Sequence, residues 1–182
     1  MHYIMLPSEL VGFTNHTTEI VKTVSNREMY LLKGELASSA DDSLCPLCGS
    51  PMHIHDRCEA SLRHLCFGNR LSCLKFSKLR YLCPRCGHSH MQRVPFQAQG
   101  HRISCELLSY TRDLLAYGFT NKEVAYITGL GKNTVKDIDL RRLQEKYTID
   151  GQRLIKPEKQ ARFLGVDEFK LHDGHKYAVV IV

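Results

Sequence analysis

Hydrophobic and polar positions change their period several times along the chain. Residues 19–24 and 29–36 are rich in β-forming side chains, and Ser25-Asn26 between them is a turn dipeptide, so the pattern predicts a short β unit. Residues 37–43 are small and polar and read as a linker. Residues 71–82 are a third strand. There Lys75, Ser77 and Leu79 share one face, and Leu74, Phe76 and Lys78 share the other. The alternation is imperfect, which predicts a strand partly covered on both sides.

The period then becomes helical. Leu107, Leu108, Thr111, Leu114 and Leu115 form one apolar stripe, with Ser104 as N-cap, Glu106 in the first turn and Gly118 as the stop. Further on, residues 162–171 and 176–182 are two strand-like runs around Asp173-Gly174, a strong hairpin signal. The whole is an α+β chain built from several modules.

Composition places few limits on this picture. Of 182 residues, 43% are hydrophobic and 24% charged, an ordinary globular mix. No run approaches the ~18 apolar residues of a membrane span, and the N-terminal residues lack a secretory pattern. A cytoplasmic, bacterial-type, nucleoid-associated protein is expected, in which disulfides do not form readily. The eight cysteines are then metal ligands and buried thiols. Net charge is +6, unevenly spread: −3 over residues 1–44, +6 over 45–100, +1 over 101–150 and +2 over 151–182. A basic module suits a polyanion, although a solvated basic face has the same composition.

Four of the cysteines stand in two Cys-x-x-Cys-Gly knuckles, Cys45 with Cys48 and Cys83 with Cys86. Each knuckle offers two thiolates from one turn, and two knuckles complete a tetrahedral Zn²⁺ shell. Such a shell leaves no place for water, so the expected role is structural. A redox Cys-x-x-Cys is the competing reading, but that motif usually comes singly. Residues 45–95 therefore read as a zinc ribbon. Cys58, Cys66, Cys73 and Cys105 lack such spacing and read as buried thiols. His53, His55, His88 and His90 lie near the knuckles as surface or strand residues.

Residues 120–138 fit a helix-turn-helix. Thr120 and Glu123 can close a capping box, Ala125 permits close approach, and Gly129 supplies the turn. Val124, Leu130, Val135 and Ile138 make the shared core, and the second helix is expected from about 131 to 144. In this motif Lys132, Asn133, Thr134 and Lys136 face the major groove of double-stranded DNA, while Arg141 and Arg142 meet the backbone. A plain helical hairpin is the alternative. Downstream, Asp167 sits inside an apolar strand, where a carboxylate needs a partner or a metal.

In this order, CPLCG, CPRCG, TNKEVAYITGLGKNTVKDIDLRRL and GVDEFKLHDGHKYAVVIV resemble the N-terminal part of an insertion-sequence transposase of the ISL-three family. The resemblance is close over 45–182 and loose over 1–44. It implies modules at 1–44, 45–95 and 102–147, and the start of an RNase H-like DDE domain at 160–182. It implies binding to terminal inverted repeats, a homodimer on paired ends, and no membrane partner. Asp167 matches the first catalytic Asp, and Mg²⁺ or Mn²⁺ would serve only in a full-length homologue. The second Asp and the Glu are absent, so a truncated chain inactive by itself is expected. A standalone DNA-binding regulator of transcription or transposition is the alternative.

Overall fold

A four-strand path runs through the first half of the chain. The computed structural model describes residues 10, 12–37, 40–156, 158, 166–172 and 176–181. Strands β1 (Phe13–Lys22) and β2 (Glu28–Leu36) form an antiparallel hairpin, and Asn26 in its turn has φ 59°. Strands β3 (His53–Phe67) and β4 (Arg70–Leu82) form a second, longer hairpin. β2 runs parallel to β4, so the sheet order is β1-β2-β4-β3, with the short β5 (Ser89–Met91) on the far end of β4.

This pairing corrects two expectations. The boundary at residue 44 does not separate two β modules, because β2 pairs with β4 through seven residues from Met29↔Leu71 to Glu35↔Ser77. The segment taken for a linker carries a 3-10 turn at Ala40–Ser43 and a buried Asp42. The Asp42 carbonyl lies 3.1 Å from His90 Nε2, and its carboxylate accepts from Arg93 N at 3.5 Å.

One face of the sheet closes an apolar core around Leu32, Leu62, Leu74 and Phe76. Phe13, Phe76 and Phe96 meet edge to face, with centroids 6.1 Å (Phe13–Phe76) and 6.4 Å apart (both contacts of Phe96). Such edge-to-face contacts suit the ring quadrupoles. The central position of β4 explains its imperfect alternation: Leu71, Ser72, Cys73 and Leu74 are all buried. Gly34 lets β1 approach β2. A Cβ there would lie 2.0 Å from the Thr14 carbonyl oxygen and 2.8 Å from Phe13 Cζ.

Three helices follow. α1 (Cys105–Ala116) starts at Ser104, whose hydroxyl accepts from Leu107 N at 3.1 Å and lies 2.8 Å from Nδ1 of the buried His64 on β3. α2 (Asn121–Thr128) has the expected capping box, and α3 (Lys132–Tyr147) runs one turn beyond its expected end. Leu107, Leu114, Leu115, Val124, Leu130, Val135 and Ile138 share one core, against which Leu65 of β3 packs.

The chain divides into two units, Met1–Arg142 and Leu143–Val182. In the second, β6 (Thr148–Ile149) pairs with β7 (Arg153–Leu154), a hairpin that the sequence pattern did not reveal. β8 (Val166–His172) pairs antiparallel with β9 (Lys176–Ile181), which puts Asp167 opposite Val180. The Asp173-Gly174 turn lies outside the described residues. Among those described, no helix is long and apolar enough to cross a membrane.

Gly34→Ala is expected to cost roughly 2–4 kcal/mol, because backbone rather than a flexible side chain occupies the space. Urea unfolding checks this. A change under ~0.5 kcal/mol would mean that β1 does not hold its place against β2.

Candidate metal centre and nucleic-acid interface

The two cysteine knuckles are copies of one turn. Cys45 N donates to Ser50 O and Gly49 N to Cys45 O; Cys83 N donates to His88 O and Gly87 N to Cys83 O. Gly49 and Gly87 take φ of 68° and 72°, a left-handed conformation that glycine adopts without a Cβ penalty. β3 begins just after the first knuckle and β4 ends just before the second, and the register pairs His53 with Leu82. The strand pairing therefore brings the knuckles together.

The four sulfurs lie within 4.8 Å of one another. Cys45–Cys86, Cys48–Cys83 and Cys48–Cys86 are separated by 3.5, 3.6 and 3.7 Å. A tetrahedron with ~2.3 Å metal–sulfur bonds has edges of roughly 3.8 Å, so the spacing fits a metal ion such as zinc. Cys45 and Cys83 are buried, whereas Cys86 is exposed. Hydrogen bonds from the Ser50 side chain and backbone draw the Cys48 thiol down to about 6. His88 N–H also favours the Cys86 thiolate, but desolvation and the three neighbouring sulfurs outweigh it and push that thiol up to about 12. Four adjacent sulfurs cannot all ionise without a cation, and a dication removes that conflict. His53, His55, His88 and His90 are not members of the cluster.

The helix pair has its own seat. α2 ends at Thr128 and α3 starts at Lys132, which leaves the three-residue turn Gly129-Leu130-Gly131. Thr128 Oγ1 donates to Val124 O at 2.6 Å and accepts from Leu130 N at 3.3 Å. Gly129, at φ 68°, lies on the sheet: a Cβ there would be 2.6 Å from Leu71 Cδ1 and 2.8 Å from Arg63 Nη2. Arg27, in the β1–β2 turn, donates to the Tyr126 carbonyl, and its guanidinium stands 4.8 Å over the Tyr126 ring. Cys66 Sγ approaches Ile127 O at 3.6 Å. Sequence reasoning missed Arg27 and Arg63, because nothing local marks a residue that meets a helix about a hundred positions later.

On α3, Lys132, Asn133 and Lys136 are exposed and Thr134 is half-buried. Val135 and Ile138 face the core. The two arginines differ from them. Arg141 pairs with Asp137 at 3.2 Å, and Asp137 also lies 3.5 Å from His101 Nε2. Arg142 grips Asp139 through Nε at 3.0 Å and Nη2 at 2.7 Å, and its side chain is only 18% exposed. The second pair is bidentate and largely buried, so Arg142 is already committed.

No family model matches the chain, and no solved structure matches it. It is 28% identical over 149 residues to the transposase for insertion sequence element IS1001 of Bordetella parapertussis. This likeness supports a transposase family. The match covers 81% of this chain and 35% of that protein, so the chain spans about a third of the relative's length.

Purified chain is expected to hold one metal ion, measured by elemental analysis, and Cys83→Ser is expected to lose it. Chelation should lower the melting temperature of the wild-type chain and leave Cys83→Ser unchanged. Equal metal content in both proteins would count against the four-sulfur site.

Proposed function

We propose that this chain is the DNA-binding part of a transposase of the ISL-three type and recognises the terminal inverted repeats of an insertion sequence. The observation that carries this reading is the helix pair. A three-residue turn joins α2 to α3, and the start of α3 presents Lys132, Asn133 and Lys136 to solvent. A helix offered in this way enters the major groove by its N-terminal end. Asn133 is suited to adenine, and Lys132 and Lys136 to guanine or phosphate. Arg141 can release its exposed partner for a phosphate, because such surface pairs are weak. Arg142 is left out of the contact set.

The four cysteines hold structural Zn²⁺ in this reading. A complete sulfur shell has no open position, so the metal would brace the β3–β4 hairpin and do no chemistry. Asp167 is the counterpart of the first catalytic Asp, whose Mg²⁺ or Mn²⁺ site needs further carboxylates. Assembly as a homodimer on paired ends belongs to the same proposal.

Gel-shift titration against duplexes with repeat and scrambled sequences tests it. Asn133→Ala should cost about 1–3 kcal/mol on the repeat and relax the preference at one base pair. Lys136→Ala should weaken all duplexes alike and reduce the salt slope by roughly 0.9. Arg142→Ala should leave the slope unchanged. Equal wild-type affinity for repeat and scrambled DNA at moderate salt would defeat the reading.

A further inference from the structure

The helix seat and the metal cluster lie at opposite ends of β4. Leu71 lies under Gly129, and Leu82 immediately precedes Cys83. At ~3.3 Å per residue, β4 rises roughly 35 Å between them. One turn of duplex DNA is ~34–36 Å. A duplex held at the start of α3 can therefore present its backbone again at the metal-bearing end.

The side of the sheet that supports the helix turn is polar beyond it. Lys33, Lys75, Ser61 and Ser77 are not buried in the core, and a shallow concavity of about 450 Å³ is lined by residues including Thr17, Lys33, Arg57 and Ser77. The two lysines there are already engaged, Lys33 with Glu19 at 2.8 Å and Lys75 with Glu59 at 3.0 Å. Arg80 is engaged as well, with Asp56 at 3.4 Å. The arginines left over are Arg57, Arg85 and Arg93. Each is exposed, and no carboxylate pairs with any of them among the described residues.

The metal cluster sharpens the electrostatics. Four thiolates on one dication leave about −2 of charge, which repels a phosphate unless cations reach past it. Arg85 occupies the turn of the second knuckle, between Pro84 and the exposed Cys86, where it can do so. Arg57 lies on β3 opposite Leu79, between the helix seat and the knuckles.

We infer that the metal-bearing end is a second DNA contact. Arg57 and Arg85 would bind backbone phosphates of a duplex one helical turn from the base pairs read by α3. This inference rests on the DNA-binding reading above and adds to it a fixed two-point grip. The contact is with phosphates and not with bases, so it sets affinity and register without adding a sequence preference.

The test uses the full zinc-loaded chain and duplexes of about 12 and 24 base pairs, each with one α3 site near its end. Wild-type chain should bind the longer duplex more tightly, and its log–log salt slope there should be steeper by roughly 1.8, at ~0.9 per phosphate contact. Arg57→Ala/Arg85→Ala should lose that difference in slope while keeping its metal and its preference for the correct α3 site. Arg57→Lys/Arg85→Lys should restore it, because a phosphate contact needs charge and not a planar fork. Equal slopes on the two duplexes for wild-type chain, or an unchanged slope in the alanine variant, would overturn the inference and leave α3 recognition standing. No binding to any duplex would overturn both.

Discussion

The close approach of Gly129 to the sheet is the contact on which the arrangement of the first unit depends. Leu71 and Arg63 fill the space where any other residue would place a Cβ. The backbone there is left-handed, so glycine satisfies a conformational and a steric demand together. This contact turns a helix pair, which could hang from the sheet on a tether, into an extension of it. It also explains two arginines that look misplaced. Arg63 has Nε and Nη2 buried without an acceptor among the described residues, and burial holds its guanidinium below the usual value. Arg27 meets a carbonyl of α2's last turn. Both cations lie at the C-terminal end of α2, where the helix dipole is negative. Part of the missing hydrogen bonding is thus offset by the field of the helix that they support.

The knuckles act at the other end by the same logic of shared strands. β3 and β4 run for 15 and 13 residues, long for a hairpin whose tip is exposed. A metal ion tying the first knuckle to the second closes that open end. The parallel β2–β4 pairing then passes the resulting rigidity to the β1–β2 hairpin, and Arg27 passes it back to α2. Metal, sheet and helix turn form one mechanical loop within the unit. Loss of metal should therefore be felt beyond the cysteines.

Parts of this were legible in the chain. The knuckles, the capping box at Thr120 and Glu123, the Ser104 cap and the apolar positions of the helices are local signals, and local chemistry decides them. β3 was hidden because its inward positions, Asp56, Cys58, Ala60, Leu62 and His64, alternate correctly but are mostly not hydrophobic. The false boundary at residue 44 has a different cause. Parallel pairing between β2 and β4 joins residues about forty apart, and neither strand records its neighbour in its own composition. Of the candidate DNA contacts, exposure at Lys132, Asn133 and Lys136 follows from helical periodicity. The commitment of Arg142 to Asp139 does not, since i,i+3 spacing offers such a pair but burial decides whether it is held.

The separation between the two ends of β4 matters more than the identity of either end. A structural metal contributes nothing chemically beyond its shell, and a recognition helix alone reads only a few base pairs. A rigid strand of about one DNA turn between them changes both roles. It makes the metal a spacer that fixes where a phosphate contact falls relative to the bases. It also makes the sheet a ruler, whose accuracy depends on the Gly34 and Gly129 approaches holding their strands and helices in place. A site that measures in this way discriminates by geometry. It accepts the duplex phase that satisfies both ends and rejects phases that satisfy only one.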